Sequence, residues 1–254
     1  MKHVLYNPLR WVTLVVWLWA SMLSAALANS QPLVTHIEKP TSVLFIGNSF
    51  TYFNGGIEHH MVELARMTAP KLNPVVHRQT FPGETLQGHV EKQGSQDVIK
   101  AFPWSTVVIQ GYSNRPLADN ARFERYARDL VSTIEAQQAQ PVFFMTWAYN
   151  GKPEMTAPLH DAYLDIANET KAFVVPVGPA FEKALQAQPE LNLYADDKHA
   201  NLAGTYLAAC VFYAAFFENS PVGNPYHAGL GAEKALFLQQ VAQKTVQEFY
   251  GPSR

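Results

Sequence analysis

Ser42-Val43-Leu44-Phe45-Ile46-Gly47-Asn48-Ser49-Phe50-Thr51 is the stretch on which the fold turns. An apolar, partly β-branched run stops at Gly47 and gives way to polar residues. Such a run, bounded by a turn, reads as a strand buried on both faces, here over residues 42–46. Working outward, similar short runs lie at residues 106–110, 141–147 and 173–177, with a weaker one at 74–80 that ends in Phe81-Pro82-Gly83. Between them fall helical patterns at 57–67, 120–138, 157–170, 180–188, 200–217 and 233–250. The pattern at 120–138 puts Phe123, Tyr126, Leu130, Val131 and Ile134 on one stripe; that at 200–217 is apolar nearly all round, as in a central packing helix. Strands alternating with helices of this length imply βαβ crossovers. The expected fold is α/β, a three-layer α/β/α sandwich with a mostly parallel five-stranded sheet. In such open sheets ligands bind beyond the carboxyl ends of the strands, so reactive residues should fall just after strands.

Bulk properties narrow the choice of function. Lys2 and Arg10 precede an apolar segment, residues 11–23, and Ala26-Leu27-Ala28 is a small-x-small cleavage site. Residues 1–28 therefore read as an export signal, with a single domain over 29–254 that is periplasmic or secreted. The apolar segment is shorter than the ~20 residues of a spanning helix, and no basic stop-transfer cluster follows, so no membrane anchor is expected after cleavage. The chain carries 19 Lys+Arg against 21 Asp+Glu with no basic stripe, which argues against nucleic acid as a partner. Cys210, the single cysteine, lies in an apolar helical pattern and reads as a buried small hydrophobe. The oligomeric state is not legible. His59, His60, His77, His89, His160 and His227 show no metal-ligand spacing, and no phosphate cradle or dinucleotide fingerprint is present, so neither metal nor cofactor is expected.

Polar residues do fall where the strands stop. Ser49 follows the first strand on a strand-to-helix turn, with Gly47 expected to permit the bend; the competing reading is a serine that caps the next helix. A serine needs a base to take its proton. Asp196 and His199, three apart in Asp196-Asp197-Lys198-His199, can set a carboxylate against one imidazole nitrogen and leave the other free for a nucleophile. Asp197 is read as favouring the start of the next helix. Gly83 and Asn114 follow the second and third strands as candidate oxyanion donors, a backbone N–H and a side-chain amide. Each also reads as an ordinary turn residue. Phe50, Tyr52, Tyr112, Trp147 and Tyr149 divide evenly between cleft lining and core.

The order of these blocks resembles the SGNH/GDSL hydrolases over residues 42–217. Its most specific parts are Leu44-Phe45-Ile46-Gly47-Asn48-Ser49-Phe50-Thr51 and Asp196-Asp197-Lys198-His199-Ala200-Asn201-Leu202-Ala203-Gly204. The resemblance implies a flavodoxin-like sheet and a serine esterase with catalytic Ser49, Asp196 and His199, an oxyanion hole of Ser49, Gly83 and Asn114, and no cofactor. It implies a small-molecule or carbohydrate ester as substrate, with acetyl on a carbohydrate the expected case. One block departs from the family pattern: Gly111-Tyr112-Ser113-Asn114 has an extra residue and no following Asp, which leaves Gln110 and Ser113 as alternative donors. That displaced block also keeps open a different reading, a non-catalytic glycan-binding module retaining the fold.

Overall fold

The computed structural model describes residues 31–68 and 70–251. The export signal expected at residues 1–28 lies outside the described residues. The described residues belong to one compact unit. No helix among the described residues is long and apolar enough to cross a membrane.

Five strands, β1 (Ser42–Gly47), β2 (Val75–Thr80), β3 (Thr106–Ile109), β4 (Gln140–Met145) and β5 (Phe173–Pro176), form one sheet in the order β2-β1-β3-β4-β5. Every pairing is parallel. This is the doubly wound order in which the chain reverses direction between β1 and β3, and a crevice opens there. The buried strands alternate their side chains between two cores. Val43, Phe45, Val108, Val142, Phe144 and Val175 join one, while Leu44, Ile46, Val107, Ile109, Phe143 and Val174 join the other. Strand β2 lies at an edge with Val75 exposed, and its polar His77, Arg78 and Gln79 blunt that edge.

Helices cover both faces. On the first side lie α2 (Ile57–Thr68), α8 (Val177–Ala187), α9 (Leu202–Phe217) and α10 (Ala232–Tyr250). On the second lie α3 (Leu86–Glu91), α4 (Ser95–Ala101), α6 (Asn120–Ala136) and α7 (Thr156–Thr170). The one-turn α1 (Ser49–Tyr52) and α5 (Arg115–Ala118) follow β1 and β3. Helix α9 buries every residue from Ala203 to Phe217, as its all-round apolar pattern requires. Each fully buried Leu or Phe there contributes about 1.5–3 kcal/mol. Cys210 is free and fully buried within it, and burial pushes its thiol well above the ordinary range.

Two expectations shift. Helix α9 starts at Leu202 rather than near residue 200, because Ala200 pairs with Tyr194 in a bridge and Asn201 takes the cap, accepting from Ala203 N–H (2.9 Å) and Gly204 N–H (3.1 Å). Asp197 therefore does not cap it; its carbonyl accepts from Asn150 N–H instead. Helix α8 begins directly on β5, at Val177, because Gly178 lets it lie against the Thr146 carbonyl: a Cβ there would come within 2.4 Å of that oxygen.

Candidate active site

The turn after β1 is built around Gln110, the residue that follows β3. Its side chain is buried, and its Oε1 accepts from Asn48 N–H (2.8 Å) and the Thr51 hydroxyl (3.1 Å), while its Nε2 donates to the Gly111 carbonyl. Gly47 makes room for it. A Cβ on Gly47 would lie 2.5 Å from Gln110 Oε1 and 2.8 Å from Thr51 Oγ1, so close approach, rather than a tight bend, is what requires glycine here. Asn48, not Ser49, caps α1: its Oδ1 accepts from Phe50 N–H (3.1 Å), and its Nδ2 donates to the Glu84 carbonyl (2.8 Å). Ser49 is thereby freed of a capping role, with its hydroxyl turned outward from the sheet's carboxyl edge.

The hydroxyl meets the loop that leads into α9. Ser49 Oγ lies 2.9 Å from His199 Nε2, and His199 Nδ1 lies 2.7 Å from Asp196 Oδ2. The other carboxylate oxygen of Asp196 accepts from the N–H groups of Lys198 (2.8 Å) and His199 (2.7 Å), closing the turn that holds the pair. Partial desolvation alone would raise the Asp196 pKa. It is outweighed by the backbone and ring N–H groups of His199 and the Lys198 N–H, which hold the carboxyl well below the usual range. The loop is pinned from below by Trp147, whose Nε1 donates to the Lys198 carbonyl (2.9 Å). Trp147 is sandwiched between Phe50 and Phe181, with ring centroids 4.4 Å from each. Phe53 stacks on the His199 ring at 4.3 Å. The ring is thus fixed in position by packing on one side and by a carboxylate on the other.

These groups open into a cleft of about 270 Å³, lined by Ser49, Phe53, Gly83, Tyr112, Ser113 and His199 among others. Gly83 adopts the left-handed conformation (φ 64°) and is exposed. Among the described residues no hydrogen bond occupies the N–H of Ser49 or of Gly83. Asn114 is not among the residues that line this cleft. Its backbone carbonyl begins α5, accepting from Leu117 and Ala118, and its side chain makes no cap hydrogen bond. Of the expected aromatics, Phe50, Tyr52 and Tyr112 line the cleft, whereas Trp147 is core; Tyr149 pairs with Ser113 behind the wall, hydroxyl to hydroxyl at 2.8 Å. Among the described residues no group of three or more His, Cys, Asp or Glu side chains is placed to hold a metal.

Sequence reasoning passed over His89. It is fully buried beneath the Ser49 turn, with Nε2 2.9 Å from the Gly47 carbonyl and Nδ1 2.7 Å from Ser95 Oγ. A carbonyl only accepts, so Nε2 carries the hydrogen and the Ser95 hydroxyl donates to Nδ1, which satisfies a neutral ring. Burial lowers the His89 pKa, outweighing the opposing pull of the Gly47 carbonyl and of Glu84. Burial lowers that of His60 as well, against the pull of the Asn54 carbonyl. Both folded-state pKa values lie below the ordinary imidazole value of about 6.5, so the unfolded chain binds these protons first as pH falls. The stability contributed by the neutral rings is complete above that value and is lost as pH drops through and below it. Melting temperature should therefore fall between about pH 7.5 and about pH 5.5. A flat profile across that interval would contradict the neutral, buried assignment.

No protein-family model matches the sequence, and no curated protein matches it either. Solved structures do. A DUF4886 family protein from Bacteroides uniformis superposes with a TM-score of 0.68 at 19% identity, over 84% of this chain and 96% of that one. A proposed SGNH hydrolase from Slackia heliotrinireducens gives a TM-score of 0.60 at 26% identity, over 69% and 98%. An acetylxylan esterase from Geobacillus stearothermophilus gives 0.56 at 20% identity, over 72% and 94%. The protein has an SGNH/GDSL hydrolase-like fold: a parallel five-stranded sheet between helical layers, shared with these neighbours. Other structures sharing this fold include a GDSL-like lipase from Parabacteroides merdae and an acetyl-xylooligosaccharide esterase.

Proposed function

We propose that this protein is an exported serine esterase, with Ser49 as nucleophile, His199 as general base and acid, and Asp196 as the carboxylate that orients it. The observation that carries this reading is the continuous hydrogen-bond chain from Ser49 Oγ through the His199 ring to Asp196, at 2.9 and 2.7 Å, opening on a cleft at the carboxyl edge of the sheet. His199 Nε2 takes the Ser49 proton as Oγ bonds to the ester carbonyl carbon, whose oxygen becomes the oxyanion. Collapse breaks the bond to the alcohol oxygen, which receives the proton from His199. A water molecule, deprotonated by His199 in turn, attacks the acyl-serine and releases the acid. The Ser49 and Gly83 N–H groups are the backbone oxyanion donors in this reading. One such donor is typically worth about 3 kcal/mol of barrier.

The cleft volume bears on the substrate. About 270 Å³ sits just under the lower end of the range for drug-sized ligands and suits a short acyl group better than a fatty chain. An acetyl ester on a carbohydrate alcohol is the substrate class proposed, in keeping with the acetylxylan esterase among the structural neighbours. The signal at residues 1–28 would carry the enzyme to such a substrate outside the cytoplasm. Labelling with a fluorophosphonate, followed by peptide mapping, tests the reading: modification at Ser49 is expected. Absence of modification there, in folded protein, would favour the binding-only module instead.

A further inference from the structure

The oxyanion hole in this reading has two backbone donors, and of the three side chains named from the sequence as a further donor, Asn114 and Gln110 both lie elsewhere. The Gln110 amide serves the Ser49 turn through both its oxygen and its nitrogen, and neither Gln110 nor Asn114 lines the cleft. Asn48 reaches the wall, but its amide is held in the turn by its oxygen, which accepts from Phe50 N–H, and by one Nδ2 hydrogen, which goes to the Glu84 carbonyl. Tyr52, Tyr112 and Lys198 are only partly buried and open to water.

Ser113 remains. It is 3% exposed, lines the same cleft as Ser49, Gly83 and His199, and its backbone is held by the turn in which Arg115 N–H donates to the Tyr112 carbonyl (2.9 Å). Among the described residues the Ser113 hydroxyl has one partner, Tyr149 OH at 2.8 Å. Two hydroxyls carry two hydrogens, and one hydrogen bond between them uses one. The second is left over. Ser113 is the member of the pair on the cleft wall. In the arrangement where Tyr149 donates to Ser113 Oγ, the spare O–H belongs to Ser113, the residue that lines the cleft. A buried donor without an acceptor is costly, about 1–3 kcal/mol, so the arrangement favours an anionic oxygen in that place. A hydroxyl fixed from behind also needs little reorganisation as charge develops.

Building on the esterase reading above, we propose that Ser113 is a catalytic residue: its hydroxyl, oriented by Tyr149, is the side-chain donor of the oxyanion hole. The test uses Ser113→Ala and Tyr149→Phe, with kcat and KM on a soluble acetate ester and the inhibition constant of a small boronic acid, whose serine adduct is tetrahedral and anionic. Ser113→Ala should lower kcat by about 10²-fold, leave KM within about twofold, and weaken the boronic acid in parallel. Tyr149→Phe keeps the Ser113 hydroxyl but loses its orientation, and should lower kcat by roughly tenfold. A merely structural role would not single out the tetrahedral analogue. Should Ser113→Ala fail to fold, Tyr149→Phe decides alone: a selective loss in kcat and boronic acid affinity supports the proposal, and unchanged values overturn it. If the unaltered protein turns over ester and labels at Ser49 while Ser113→Ala is equally fast, this inference alone fails. If the unaltered protein neither turns over ester nor labels, the esterase reading falls and takes the inference with it.

Discussion

Ser49→Ala is expected to lower ester turnover by about 10⁴-fold or more while leaving the fold intact. The size follows from the division of labour at the site. His199 has no proton to take once Oγ is gone, and the remaining donors can only stabilise attack by a water that nothing positions. The fold should tolerate the change because, among the described residues, Ser49 Oγ bonds to His199 alone, while the cap of α1 is made by Asn48 and the turn is held by Gln110. A hydroxyl lost at a cleft wall leaves no large cavity. Steady-state turnover of a p-nitrophenyl acetate-type ester and a thermal melt of the same sample check both halves. Undiminished turnover would place any hydrolysis at some other group.

Asp196→Asn should cost about 10³-fold or more in kcat, although one carboxylate oxygen is exchanged for an amide of almost the same shape. The reason lies in which oxygen can be exchanged. Oδ1 accepts two backbone N–H groups, from Lys198 and His199, so the amide nitrogen cannot sit there without setting donor against donor. It must take the Oδ2 position, facing His199 Nδ1. There it donates, which forces Nδ1 to accept and moves the ring hydrogen to Nε2. An Nε2 that already carries hydrogen cannot take the Ser49 proton. The loss should fall in kcat rather than in KM, and a loss below about tenfold would mean that the carboxylate does not set the tautomer. Because its hydrogen bonds hold the Asp196 pKa well below the usual range, this carboxylate adds no titration of its own near neutral pH.

Much of the architecture was legible because buried parallel strands and their helices write strong patterns. The run at residues 42–46 became β1 with one more residue, and the weak pattern at 74–80 was weak for a reason, since β2 is a polar edge. The apolar segment ending at Phe217 could be nothing but a core helix. Helices α3 and α4 escaped notice. They are short, α3 contains Gly88 and α4 is preceded by Gly94, and glycine costs a helix interior about 1 kcal/mol relative to alanine. The structure supplies the compensation: Thr85 Oγ1 caps α3 by accepting from Gly88 N–H, and a Cβ on Gly88 would collide with the Glu84 carboxylate. No local pattern announces that contact.

The site divides in the same way. Ser49, Asp196 and His199 could be read because strand ends and an i, i+3 spacing are local features, and the structure brings the three together. The role of Gln110 could not. Its partners Asn48 and Thr51 are 62 and 59 residues away, and whether an amide at a strand end faces the cleft or the turn depends on how β1 and β3 pair. His89 likewise looks like any isolated histidine until β1 passes over it. Asn114 was drawn in by resemblance to a motif that this chain interrupts, and the extra residue puts Tyr112 and Ser113 on the wall instead.

Ser49 and His199 are separated by 150 positions, with most of the sheet laid down between them. A ribosome delivers the nucleophile early and the base late, so a nascent chain carries a serine of ordinary, negligible reactivity for most of its synthesis. The loop from Asp196 to His199 leads directly into α9, which packs on β1 and β4 through Phe212, beside Phe45 and Phe144. Parallel pairings of this reach form slowly, because loop closure must precede any contact that rewards it. On the proposed esterase reading, activity would thus arrive at the end of maturation rather than along the way, and half-finished or partly unravelled chains would be harmless to acylated molecules around them. The distance along the polypeptide would act as a built-in delay.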